Sequence, residues 1–134
     1  MDTEMDKIID EIKQYHITDS RTIQERKKQI LQNLVLEKDE MKHYQKLLLE
    51  YRYVDEVDEL RLGSYLRFFR LTTDTLELRS GGFLADIQLK NEQIVLLFKN
   101  RTRFFNLKLN ECILFQKNTT QEKLLIQILD QIKR

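Results

Sequence analysis

Residues 83–89, Phe83-Leu84-Ala85-Asp86-Ile87-Gln88-Leu89, set Phe83, Ala85, Ile87 and Leu89 against Leu84, Asp86 and Gln88 with a period of two. Such alternation reads as a strand with one buried face. Working outward, Phe105, Leu107 and Leu109 alternate with Asn106 and Lys108 in the same way. Strands are expected over 65–71, 75–79, 83–89, 94–99 and 104–109, with a short sixth over 112–116. The connections Thr72-Thr73-Asp74, Ser80-Gly81-Gly82, Lys90-Asn91-Glu92 and Asn100-Arg101-Thr102 carry turn chemistry. Gly81-Gly82 reads as a turn with positive φ between two strands. Gaps this short predict antiparallel neighbours.

Beyond the strands, Thr119 and Glu122 have the spacing of a capping box, and Leu124, Leu125, Ile128, Leu129 and Ile132 define one face of a closing helix. Five or six short strands with a helix over one side predict a small SH3-like or Sm-like barrel, or an open meander sheet packed on helices.

Towards the N-terminus the period changes. Met5, Ile8, Ile12 and Tyr15 predict an amphipathic helix over 3–16, broken at Ile17-Thr18-Asp19-Ser20. Thr22 and Glu25 suggest a second capping box, with Ser20 as the alternative cap. A single helix is then expected over 21–52, roughly 48 Å long. Its heptad positions a fall at Ser20, Lys27, Leu34, Met41 and Leu48, and its positions d at Ile23, Ile30, Glu37, Tyr44 and Tyr51. An apolar 3.5-residue stripe of that length must be buried, and the first helix covers only its near half. Ile23, Ile30, Leu34, Met41, Tyr44, Leu48 and Tyr51 are therefore the candidate oligomerisation residues, with a dimer expected because Lys27 and Glu37 interrupt the stripe. The acidic link Asp55-Glu56-Val57-Asp58-Glu59 ends this stem. The chain divides into a helical stem over 1–59 and a barrel-like β domain with its closing helix over 60–134, an α+β protein.

Leu62-Gly63-Ser64-Tyr65-Leu66-Arg67, Leu76 to Phe83, Arg103-Phe104-Phe105-Asn106-Leu107 and Ile113-Leu114-Phe115-Gln116-Lys117 together resemble a group of short, functionally uncharacterised proteins encoded by large DNA viruses of eukaryotes. The resemblance spans residues 60–132 and leaves out the stem. It implies a viral setting, host cytoplasm or virion, and brings no active site with it. A chain without proline and rich in Lys, Ile and Asn is compatible with that origin.

Composition narrows the function classes. With 41% hydrophobic and 34% charged residues the chain can build a core and a solvated surface. No apolar run approaches the roughly 18 residues of a membrane span. The acidic start Met1-Asp2-Thr3-Glu4-Met5-Asp6 lacks the basic and apolar regions of a signal peptide, so the protein is expected to stay in the compartment where it is made. A lone Cys112 in an apolar run argues for a reducing compartment and a core thiol. His16 and His43 lie far apart, without metal-ligand spacing. Gly81-Gly82 is followed by no Lys-Ser/Thr, and no Ser or Cys is placed to pair with a histidine. An enzyme, a cofactor and a small-molecule substrate are not expected.

The net charge of +1 conceals an asymmetry. Residues 1–62 carry 11 Lys and Arg against 15 Asp and Glu, whereas residues 63–117 carry 9 against 5. In the β half Arg67, Arg70, Arg79, Lys99, Arg101 and Arg103 mix with Tyr65, Phe68, Phe69, Phe98, Phe104 and Phe105. Cations that track phosphates and rings that stack on bases are what barrel folds use to hold single strands. Lys99, Arg101 and Arg103, gathered at one turn, are the candidate nucleic-acid contacts. Two roles follow: an assembly or scaffold protein that self-associates through the stem and holds another protein, which the heptads favour, or a nucleic-acid-binding barrel on an oligomerising stem.

Overall fold

The computed structural model describes residues 3–132. The helices α1 (Glu4–Gln14), α2 (Ser20–Gln32) and α3 (Lys38–Leu47) come first. Then follow β1 (Tyr51–Val54), β2 (Tyr65–Arg70), β3 (Leu78–Lys90), β4 (Gln93–Asn100), β5 (Arg103–Lys108), β6 (Cys112–Lys117) and α4 (Thr120–Ile132). Short 3-10 turns occupy Val57–Glu59 and Leu109–Glu111. The six strands form one antiparallel sheet in the order β1-β6-β2-β3-β4-β5. The α+β class, the antiparallel strands and the C-terminal helix match the sequence reading. The barrel does not close, and β1 and β5 are its two edges.

The long helix over 21–52 does not form. The chain leaves helical geometry after Gln32, passes through Val35 at φ 54, and restarts as α3, where the Glu40 carboxylate accepts the Glu37 N–H at 3.2 Å. Leu34 and Leu36 both pack against the cluster built by Phe69 and Phe115. Residues two apart point to opposite sides of a helix, so both reach one core only if the helix breaks between them. Residues 51 and 52, expected at its end, are instead in β1, where Tyr51 pairs with Lys117 and Arg52 with Gln116. A boundary at 59/60 would cut this strand from its sheet.

The stripe that called for a second copy is covered within the chain. Tyr44, Leu48 and Tyr51 are buried with Leu31 against Phe69, Ile113 and Phe115, and Ile30, Leu34 and Met41 pack around them. Ile23 is buried with Ile17 against Leu125 and Ile126 of α4. Lys27, polar at an a position, is also buried, and its Nζ donates to Leu48 O at 2.8 Å. Burial pushes its ammonium down to about 8.

Two bulges bend β3 so that its first half pairs with β2 and its second half with β4. Gly81-Gly82, expected as a turn, lies inside this strand. Gly81 has φ +76, and a Cβ there would stand 1.7 Å from Leu66 O, so the glycine serves close backbone approach. The second bulge, between Leu84 and Asp86, inverts the first half of the face expected for residues 83–89, while Ile87 beyond it packs against the core as expected. Leu84 is buried, whereas Phe83 is 53% and Leu89 76% exposed.

The bent sheet wraps one core that draws on every strand: Val54, Leu66, Phe68, Leu84, Leu96, Phe98, Leu107 and Leu114. α4 begins with the expected capping box, Thr119 Oγ1 accepting the Glu122 N–H at 3.0 Å and Glu122 Oε1 accepting the Thr119 N–H at 2.9 Å. Its buried residues are Glu122, Leu125 and Ile126, while Leu124 and Ile132 of the expected face are exposed. At the start of α2 the cap is Asp19, which accepts the Thr22 N–H, and Ser20 instead bonds Asp130 of α4.

Buried polar groups tie these parts together. Arg52 donates to Glu122 Oε2 at 2.7 Å and to Asn118 Oδ1 at 2.6 Å. Arg61 reaches Glu122 at 3.4 Å and Glu11 of α1 at 3.0 Å, and stacks over the Tyr15 ring. Burial pushes the Glu122 carboxyl up, but the Arg52 bond and charge, the Thr119 N–H and Arg61 outweigh it and hold the group below its ordinary value. Glu59, buried and bonded through Oε1 to the N–H groups of Asp55 and Glu56, is pushed up by its burial.

Candidate functional site

Where the β4–β5 turn overhangs the joined ends of β2 and β3, an open cleft of about 950 Å³ forms. Its floor is aromatic. Phe68 and Phe105 lie 6.0 Å apart between ring centroids, and Phe105 stacks on Phe98 at 5.3 Å. Alternation along β2 sends Leu66, Phe68 and Arg70 to the same face, so the cation continues the row that its apolar neighbours begin. Arg79 stands opposite Phe68 in the β2–β3 register and joins Arg70 at the rim. Arg101 and Arg103 enter from the turn, and Tyr65 and Phe104 complete the walls. Four arginines thus line the cleft and no carboxylate does.

Local contacts hold this shape. Asn100 Nδ2 donates to Gly81 O at 2.6 Å, pinning the β4–β5 turn to β3. Tyr65 Oη donates to Ser80 O, fixing its ring across β2 and β3. Arg79 pairs with Glu77 at 3.1 Å, and among the described residues no carboxylate forms an ion pair with Arg70, Arg101 or Arg103. Arg101 sits at φ 59, a left-handed conformation that costs a side-chain-bearing residue roughly 1 kcal/mol and that Gly or Asn adopts more easily. Phe104 is 59% exposed, with the Lys99 Nζ over its ring.

Of the three expected contacts, Arg101 and Arg103 reach the cleft together. Lys99 does not line it, and its Nζ lies 5.6 Å from the Phe104 ring centroid. The sequence reading noted Arg70 and Arg79 without assigning them to the site. The Phe68-x-Arg70 parity carried that signal, but it needed the register between β2 and β3 to be read.

The Cys112 thiol donates to Lys108 O at 3.0 Å, and burial pushes it up to about 11, far from thiolate reactivity. His16 meets Asp58 at 3.1 Å on the surface. Among the described residues no group of three or more His, Cys, Asp and Glu could hold a metal ion, and no helix is long and apolar enough to cross a membrane. No family model, curated protein or solved structure matches the chain.

Proposed function

We propose that this protein is a non-catalytic binding module that holds single-stranded nucleic acid in the cleft between the β2–β3 end and the β4–β5 turn. One observation carries the reading: four arginines line an aromatic floor, and among the described residues only Arg79 of the four is paired with a carboxylate, that of Glu77. Guanidinium groups bind phosphate oxygens in pairs. The exposed Phe104 ring offers a stacking surface worth about 1–3 kcal/mol per base. Bases reach such rings only when they are splayed out of a duplex, which favours a single strand. The assembly role ranks second because the apolar stripe from Ile23 to Tyr51 is covered inside the chain. The resemblance of residues 60–132 would set this binding in host cytoplasm or virion.

The test is a titration of a labelled oligothymidylate at several salt concentrations, for the wild type and for Arg79→Ala/Arg101→Ala/Arg103→Ala. Each lost phosphate contact flattens the slope of log affinity against log salt by about 0.7 for a single strand. The triple variant is expected to lose about 2 units of slope, with its thermal transition unchanged. Equal slopes would remove these arginines from the interface.

A further inference from the structure

We infer that the bound strand continues past this cleft, along the open edge of β5, into a second basic hollow; the inference rests on the single-strand reading above. The second hollow, about 400 Å³, is lined by Lys90, Asn106, Lys108 and Cys112 among others. Arg70 lines both hollows, so they adjoin at its side chain. Arg103, Phe104 and Phe105 border the first, and Asn106, Leu107 and Lys108 the second, so the track follows β5 from end to end.

β5 is an edge of the sheet, and every second residue of an edge strand turns its N–H and C=O away from its one partner. The track therefore offers backbone donors along its length and cations at both ends: Arg79, Arg101 and Arg103 at one, Lys90 and Lys108 at the other. The one carboxylate, Glu111, stands 3.9 Å from Lys108 and leaves the far end net positive. Six residues of strand span roughly 20 Å, more than one nucleotide covers. An extended acidic peptide, pairing with β5 as a seventh strand, is the competing occupant. The aromatic floor and the exposed Phe104 favour the nucleic acid, because an added strand would use the backbone edge and leave these rings without a role.

The experiment measures salt-dependent binding of dT4 and dT12 to the wild type, to Lys90→Ala/Lys108→Ala and to Arg101→Ala/Arg103→Ala, with oligoglutamate of 12 residues as a further probe. The lysine pair is exposed, and each variant's thermal transition is recorded beside its binding. The expected result is that the lysine variant loses about 1.4 units of slope for dT12 and little for dT4, whereas the arginine variant loses as much for both. An unchanged dT12 slope in the lysine variant, with the arginine effect intact, would overturn the track and leave the cleft reading standing. No saturable binding of either oligonucleotide would overturn both. Saturable binding of oligoglutamate alone would replace the nucleic acid by an acidic strand.

Discussion

Arg52→Ala is expected to lower the unfolding free energy by about 3–5 kcal/mol, the range for a buried ion pair that loses one partner. Arg52 and Glu122 are both excluded from solvent and meet at 2.7 Å. Without the guanidinium, the Glu122 carboxylate stays in the interior with only the Thr119 N–H and Arg61 at 3.4 Å to compensate it. The pH dependence follows. Glu122 sits below its ordinary value in the folded state, so its contribution is present above the unfolded value near 4.5 and is lost as pH falls through the folded value. Urea unfolding of the wild type should show this acid loss, and Arg52→Ala should remove it. A variant within 1 kcal/mol of the wild type at pH 7 would mean that water already solvates the pair.

Gly81→Ala is expected to be comparably damaging, at about 4 kcal/mol or more, among the largest costs of a single substitution. Two penalties coincide at this position. A side chain at φ +76 is strained, and its Cβ would stand 1.7 Å from Leu66 O, a backbone atom that moves only if β2 separates from β3. Gly63 supplies the control. It also has positive φ, but a Cβ there meets nothing within 4 Å, so Gly63→Ala should cost only the conformational term, about 1 kcal/mol. Thermal unfolding of both variants separates the two. Equal losses would show that φ alone governs Gly81 and that β2 and β3 tolerate the added methyl.

These two residues also show what the sequence could and could not disclose. Local signals were legible where one interaction decides the outcome. The Thr119/Glu122 capping box starts α4 as expected, and the period-two runs locate most of the β half, although 75–79 and 83–89, expected as two strands, form a single one that begins at Leu78. Signals that depend on pairing were not. Gly81-Gly82 looks like a turn because only the β2–β3 register reveals the approach of Leu66 O. The alternation of residues 83–89 is genuine, yet the bulge between Leu84 and Asp86 inverts its first half. In the stem, Leu34 and Leu36 belong to one core, and a heptad grid, which keeps only Leu34, misses the break that this demands. The candidate site was half visible for the same reason. Arg101 and Arg103 lie close in sequence, whereas Arg70 and Arg79 join them only across strands.

The most direct test of the binding role is a heteronuclear NMR titration of the full chain with unlabelled dT12 at low salt, following every backbone amide. The account predicts shifts that saturate and map to Arg70, Ser80, Gly81 and Arg101–Phe105, with the amides of α2 and α3 unmoved. Shifts confined to the helices, or none at millimolar oligonucleotide, would contradict it.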